Sequence, residues 1–402
     1  MPNRKHANQK KQVAIAFPAM THYERAFRGV LDYGREHGGW TFMASPEAFT
    51  TPVQWLSGWP GDGAIVMLTS AEDTKAARRL KLPMVNLTGI LPTTPIPRVT
   101  VDNRAVGRLA VEHLADCGFS RFAFYGLRDI WYSQLRLEGF RAATAAMGGA
   151  CHVYEAPSPL IARRAWQGET DKLDRWLKAL PKPVGLLAVT DHRARMVVDT
   201  CLRLGLTVPD DVAVVGVDND EMTCSWTDPP LSSVDCNSYQ IGRHAAALLD
   251  QLMQGDQLPQ RELHIQPREV VQRRSSDVAA VEDPYVARAA KYVRDHISEA
   301  FGVEALVDHV NVSRRWLEQS FAKSLHCTPH EYICRMRVQA AKQMLAGPQK
   351  LTMRDIAEAC GFHDARRFRL VFQRLENMPP GQYRKRARVP GSEDRGSRVE
   401  GR

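Results

Sequence analysis

Arg314, Arg315, Gln319 and Lys323 recur along one short stretch of this chain, and Arg366, Arg369 and Gln373 along another. Guanidinium groups serve both phosphate oxygens and guanine edges, so the two sets carry the chemistry of DNA recognition. A different constellation lies upstream. Asp191 and Asp218 each follow an apolar run, which would set their carboxylates at a cleft mouth as acceptors for hydroxyl groups. Arg136 adds a planar donor fork able to hold two neighbouring oxygens. Phe17, Tyr23, Trp131 and Tyr132 stand near expected strand ends or helix starts, where an aromatic face can stack on a sugar ring.

Each set has a plainer reading. Asp218 can close a turn, Arg136 can form a hinge ion pair, Asp220 and Glu221 can be solvated loop charges, and the four aromatics can be core. Gly61-Asp62-Gly63 lacks a phosphate-binding fingerprint and reads as a turn before a strand. For the basic sets the plainer reading is the solvated face of an ordinary helical domain, or an RNA surface. Charge weighs for DNA. Residues 284–388 hold 19 Lys and Arg against 10 Asp and Glu, residues 1–283 hold 32 against 32, and residues 389–402 hold 3 against 3. The whole net charge of +9 therefore lies in one block, as expected of a surface whose phosphate contacts set affinity while a few side chains read bases.

Catalysis finds less support. The eight cysteines, at 117, 151, 201, 224, 236, 327, 334 and 360, form no Cys-x-x-Cys pair and no metal-ligand spacing, and there is no Gly-x-Ser-x-Gly elbow. They read as small core residues in a reducing cytosol. No catalytic residue, cofactor or metal is expected. A DNA-binding protein with a cysteine-hydrolase-like N-terminal domain is the enzyme alternative, and a hyper-reactive thiol would be its mark. No apolar run reaches ~18 residues and the N-terminus is polar and basic, so neither a membrane span nor a secretory signal is expected. That argues against a periplasmic transport receptor and for a cytoplasmic protein, on the nucleoid when bound to DNA.

The elements that must position the basic residues repeat a pattern. Residues 303–310 form a short apolar helix, 311–313 a turn, and Ser313 caps a second helix whose buried stripe is Trp316, Leu317 and Phe321. A second unit begins at Thr352, stops at Gly361 and restarts at Asp364, with Phe368 and Phe372 turned inward. Between them, Thr328-Pro329-His330-Glu331 has capping-box spacing with Pro at the first helical position, and the helix over 332–346 reads as a rigid spacer. Such a spacer can hold two recognition helices roughly one DNA turn apart, about 34 Å, in successive major grooves.

Ile356-Ala357, Gly361-Phe362, Phe368, Phe372, Pro380 and Tyr383-Arg384 resemble the signature of arabinose-activator-type transcription factors. The match departs at Asn377 and Pro379, where that family more often has Gly and Ser or Thr, and at Gln373, where Lys is common. These departures bear on the turn and on one phosphate contact, not on the fold.

The preceding part of the chain has another rhythm. Apolar β-rich runs at 13–17, 64–68, 84–87, 122–125, 185–189 and 212–217 alternate with amphipathic helical stretches, which is a βαβ pattern with buried parallel strands. About 270 residues suit two similar α/β lobes, with ligands beyond the carboxyl ends of the strands. Asp102-Asn103 with Gly107 and His113-Leu114, then Arg136-Leu137-Glu138-Gly139-Phe140, Thr190-Asp191, residues 209–218 and residues 229–234 resemble, in that order, the effector domain of lactose-repressor-type regulators. Met1 to Gln12 reads only as a basic tail, without the headpiece those repressors carry. Sensor and reader joined in this order resemble the xylose-operon activators from end to end.

These resemblances imply an α/β protein: a two-lobed, periplasmic-binding-protein-like sensor with parallel sheets over 13–272, a linker over 273–283, an all-α tandem helix-turn-helix domain over 284–388 and a disordered tail over 389–402. They imply Arg136 and Asp218 as effector contacts and Asp191 as a further polar one. They also imply a homodimer that regulates transcription from double-stranded operator DNA, with RNA polymerase as a further partner. A pentose, D-xylose first, is the expected effector; another sugar or a purine-type effector is the alternative.

Overall fold

The computed structural model describes residues 10–17, 23–44, 52–158, 166–256, 261–277, 283–325, 327–346 and 351–388. The expected tails at 1–9 and 389–402, and linker residues 278–282, lie outside the described residues. The chain forms two compact units, Met1–Asp277 and Val278–Arg402.

The first unit holds two sheets. Strands β1 (Lys11–Ala16), β2 (Trp40–Ala44), β3 (Gly63–Val66), β4 (Met84–Asn86) and β5 (Arg98–Val101), with helices α1 (Tyr23–His37) and α2 (Ala71–Arg79), begin the first lobe. The chain then crosses to the second lobe, built from α3 (Asn103–Asp116), β6 (Arg121–Leu127), α4 (Trp131–Ala146), β7 (Ala150–Ala156), α5 (Trp166–Ala179), β8 (Val184–Ala188), α6 (Asp191–Arg203), β9 (Val212–Val217), α7 (Glu221–Trp226) and β10 (Ser232–Val234). It returns to the first lobe for α8 (Ser238–Gln254) and β11 (Glu262–Ile265), and crosses once more for β12 (Val270–Val271). The sheet orders are β11-β5-β4-β3-β1-β2 and β12-β10-β9-β8-β6-β7. The strand pairs are parallel except β10 with β12. Helices on both faces bury β3, β8 and β9 entirely, which is why those strands are continuous apolar runs.

The crossovers are stitched together. The Asp102 amide donates to the Ile265 carbonyl at 2.8 Å, Gln266 donates to the Asp102 carboxylate at 3.1 Å, and Asp235 exchanges backbone hydrogen bonds with Arg268 and Glu269. Each lobe also holds one helix pair in backbone contact through reciprocal glycines. An added Cβ at Gly107 of α3 would fall 2.1 Å from the Arg136 carbonyl oxygen, and one at Gly139 of α4 would fall 2.0 Å from that of Arg104. In the first lobe a Cβ added at Gly29 of α1 or at Gly242 of α8 would fall 2.2 Å and 2.0 Å from the Tyr239 and Ala26 carbonyl oxygens. Only residues without a side chain allow these approaches.

Two expected boundaries move. Lys11 and Gln12 belong to β1 rather than to a tail. Residues 273–277 belong to the first unit rather than to a linker: Ser275 and Ser276 are fully buried, the Ser275 hydroxyl donates to the Val214 carbonyl at 2.6 Å, and that of Ser276 donates to Ser232 at 2.7 Å. A short polar segment looked like a connector because its hydroxyls, not apolar side chains, fix it in place.

The second unit is helical: α9 (Pro284–Asp295), α10 (Val303–Val310), α11 (Arg314–Leu325), α12 (Pro329–Ala346), α13 (Met353–Ala359), α14 (Ala365–Glu376) and α15 (Pro380–Arg388). Its apolar residues form two separate cores. One gathers Leu306, Leu317 and Phe321 with Ile333; the other gathers Ile356, Phe368 and Phe372 with Val338. The spacer helix α12 thus contributes to both.

Candidate ligand cleft and DNA-reading face

Phe17 follows β1, Asn103 follows β5 and Asp218 follows β9, so the sensor's polar and aromatic residues meet at the carboxyl ends of the strands. Arg136 is their centre. It is buried on α4, its Nε donates to Asn103 Oδ1 at 2.9 Å, and its Nη1 donates to the Val189 carbonyl. Its Nη2 lies 3.9 Å from Asp218 Oδ1, and its guanidinium carbon sits 4.9 Å from the Tyr132 ring centre. The Cys236 thiol donates toward the same Asp218 oxygen at 3.7 Å. Asp218 itself adopts φ 109°, a conformation rare outside glycine, and Asn219 follows at φ 50°. Both conformations are held by the surrounding loop at the strand ends.

Tyr23 comes to this group from the first lobe. Burial, and then the Asp218 and Tyr132 groups, push its phenol well above the usual range, and Tyr132 is raised by burial too. Phe17 meets Tyr23 edge-on at 6.3 Å and is itself buried. The structure therefore joins Arg136, Asp218, Tyr23 and Tyr132, with Phe17 behind them. Trp131 is half-buried at the start of α4, and its backbone amide donates to the Ile90 carbonyl.

Asp191 is a correction. Expected to accept from a ligand, it is instead buried, and its carboxylate is taken up by the Ser233 hydroxyl at 2.5 Å and the Asp220 amide at 2.7 Å. Burial, then the nearby Asp218 charge, raises its pKa. It is a brace for the loop that carries Asp218. Asp220, left open as a loop charge, is buried and caps α7 through the Thr223 amide.

Several participants carry little sequence signal. Arg25 of α1 reaches across the lobes, donating to Asp235 at 3.0 Å and to the Asn219 carbonyl at 3.2 Å. Asn219 also accepts from Arg273 at 2.8 Å. The backbone amide of Tyr132 donates to Gly89 of the first lobe at 2.9 Å. Nothing in a lone Arg on an amphipathic helix marks such a latch.

The thiols do not resemble nucleophiles. Cys117 lies 3.8 Å from His113, but burial pushes the thiol up to about 12 and the imidazole down to about 4, so both are neutral. Burial likewise raises Cys201 and Cys360 to about 12. A thiolate is what reacts, so these sites count against the cysteine-hydrolase reading. Among the described residues no group of three or more metal-ligating side chains gathers, and no helix is long and apolar enough to cross a membrane.

In the second unit both second helices start at the expected caps. The Trp316 amide donates to Ser313 Oγ at 3.2 Å, and the Arg367 amide to Asp364 Oδ1 at 2.7 Å. Arg315, Gln319 and Lys323 of α11 are exposed, as are Arg366, Arg369 and Gln373 of α14. Arg314 differs from its expected role as a free DNA contact. It pairs with Glu304 of α10 at 2.6 Å and Glu318 at 3.0 Å, both within the first helix-turn-helix. Asn377 ends α14 at φ 53°, supplying the left-handed turn for which glycine is the usual choice.

Residues 111–276 match the model of a periplasmic binding protein-like domain and residues 306–386 that of a helix-turn-helix domain. The chain is 30% identical over 385 residues to the xylose operon regulatory protein of Escherichia coli (strain K12), covering 94% of this chain and 97% of the relative. It is 32% identical over 289 residues to the protein of the same name from Haemophilus influenzae, covering 72% and 74%. Among solved structures, that of a xylose-binding transcription activator matches 94% of this chain and 98% of its own, at 28% identity and a TM-score of 0.68.

Proposed function

Because the chain belongs to the family of xylose operon regulatory proteins, we propose that a pentose, D-xylose first, is its effector and binds between the sensor lobes. The protein is a sugar-responsive transcription regulator with a helix-turn-helix reader. The observation that carries the effector reading is the pair of buried Arg136 and partly buried Asp218 at the strand ends, flanked by Tyr132 from its own lobe and Tyr23 from the other. A guanidinium and a carboxylate give a donor fork and an acceptor to adjacent hydroxyls, and the phenol rings offer the faces and edges that a small sugar needs.

Sugar held by groups of both lobes favours the arrangement in which Arg25 bridges to Asn219 and Asp235, because a ligand shifts an equilibrium toward the state it binds better. In this reading the lobes also set a homodimer interface, and closure repositions two readers on paired operator sites, from which RNA polymerase is recruited and xylose-utilisation genes are activated. The setting is the cytoplasm, on the nucleoid. Within the reader, Arg315, Gln319, Lys323, Arg366, Arg369 and Gln373 contact the duplex, while Arg314 orients α11.

Thermal melting of the full-length protein against pentoses, hexoses and purine nucleosides tests this, since a ligand bound only to the folded state raises the transition. D-xylose should give the largest shift. Asp218→Ala should weaken that response by about 10–100-fold in apparent affinity, as expected for losing a charge-assisted hydrogen bond worth ~1.5–3 kcal/mol. A full response in Asp218→Ala would remove the site assignment, and a shift with a purine alone would replace the sugar.

A further inference from the structure

We propose that Leu370 reads the C5-methyl group of a thymine in the major groove, acting as an apolar specificity residue among the cations of α14. The proposal rests on α14 being the recognition helix of the second unit. Phe368, Val371 and Phe372 of that helix are buried, yet Leu370 is 59% exposed. At about 100° per residue, Arg366, Leu370 and Gln373 share an arc of about 60° that points away from Phe368 and Phe372. Leu370 therefore stands in the middle of the outward face, not at its margin. Arg366 and Gln373 lie about one turn before and one turn after it on the same stripe, with Arg369 beside it.

The surroundings identify the occupant. The exposed Arg366, Arg367, Arg369 and Arg374 of the same helix draw in a polyanion and are poor company for an apolar protein partner. An isobutyl side chain makes no hydrogen bond, so among base edges it gains most from the one that carries a methyl group. In the major groove that is thymine, whose methyl distinguishes it from cytosine and from uracil. RNA lacks the group, and its deep, narrow major groove excludes side chains.

The probe is a DNA duplex selected from a randomised pool by the full-length protein, with each thymine replaced singly by deoxyuridine opposite adenine. Loss of one buried methyl should cost the wild-type protein about three- to tenfold in Kd at one or two positions. In Leu370→Ala those same positions should become indifferent to the replacement, while the melting temperature stays unchanged because the side chain is exposed. Arg366→Ala should instead weaken every duplex by a similar factor and flatten the salt dependence. If no thymine is sensitive in the wild type, or if the sensitivity survives in Leu370→Ala, the proposal is wrong while α14 remains a reader. If Arg366→Ala and Arg369→Ala both bind as the wild type does, the reading of α14 itself fails and takes the proposal with it.

Discussion

Asp191 and Asp218 occupy equivalent places after neighbouring strands and do opposite things. Which carboxylate is left available at the strand ends is decided by what crowds each one. Ser233 and the Asp220 amide claim Asp191, and Gly216 leaves the room: a Cβ there would lie 2.2 Å from Asp191 Oδ1. Asp218 escapes this by its positive φ. The place of Asp218 at a strand end was readable from the chain, and the structure brings it to within 3.9 Å of Arg136 on α4, whereas the loop geometry and the serine two strands away, which engage Asp191, were not readable. The raised pKa of Asp191 has a testable sign. Its folded state holds a proton more tightly than the unfolded chain, so stability is fully present below the ordinary carboxylate range and falls as pH rises toward its folded pKa. Asp191→Asn keeps an acceptor for the Asp220 amide without the charge. Denaturant titrations between about pH 5 and pH 8 should show wild-type stability declining by up to ~1.4 kcal/mol per pH unit and the variant nearly flat over that range. Parallel pH profiles for the two proteins would remove Asp191 as a buried acid.

At the scale of elements, the strands that announced themselves are those buried on both faces. β5 and β10 escaped notice because Arg98, Thr100, Ser232 and Ser233 are buried polar residues inside them, satisfied by partners from distant segments such as Glu262 and Arg273. β2, β7, β11 and β12 lie at or next to sheet edges, where apolar patterning is weak. The helix-turn-helix units were legible because caps and aromatic spacing are local. What fixes one unit against the other was not. Arg337 of α12 donates to the Glu299 and Phe301 carbonyls between α9 and α10, and Gly361 at φ 67° packs on the same loop, 2.4 Å from a would-be Cβ to the Glu299 oxygen. The turn of the second unit is thus clamped to the loop of the first. Gly361→Ala meets both a left-handed backbone and that carbonyl, and should cost about 2–4 kcal/mol in chemical denaturation. Gly381→Ala, with nothing within 4 Å of its Cβ, is the control and should change stability by less than ~0.5 kcal/mol. Equal stability of the two variants would show that the clamp has slack.

For the whole molecule, the division at residue 277 separates a contiguous helical unit from a sensor whose lobes are interlaced by the chain crossings. A fragment beginning at Asp283 carries both helical cores complete and should unfold cooperatively by itself. A fragment ending after residue 237 lacks α8, which packs on α1 and β3–β5, and lacks β11 at the sheet edge. It should expose apolar surface to a dye such as ANS and show no cooperative melt. A sharp transition in that fragment would mean the first lobe does not need its returning segments.

The crossings also impose a schedule on the ribosome. β1 to β5 emerge first, yet their lobe cannot be finished until β11 is made, some 160 residues later. About 200 residues separate α1 from α8, so at ~5–20 residues per second the α8-facing side of α1 stays uncovered for on the order of ten to forty seconds of translation. The segment most exposed to chaperones and proteases is therefore the earliest one, and the DNA-reading helices are synthesised only after the sugar-sensing lobes have everything they need to close. Translation that stops early yields a chain that cannot occupy an operator, so the cell is spared a regulator that binds DNA without being able to listen.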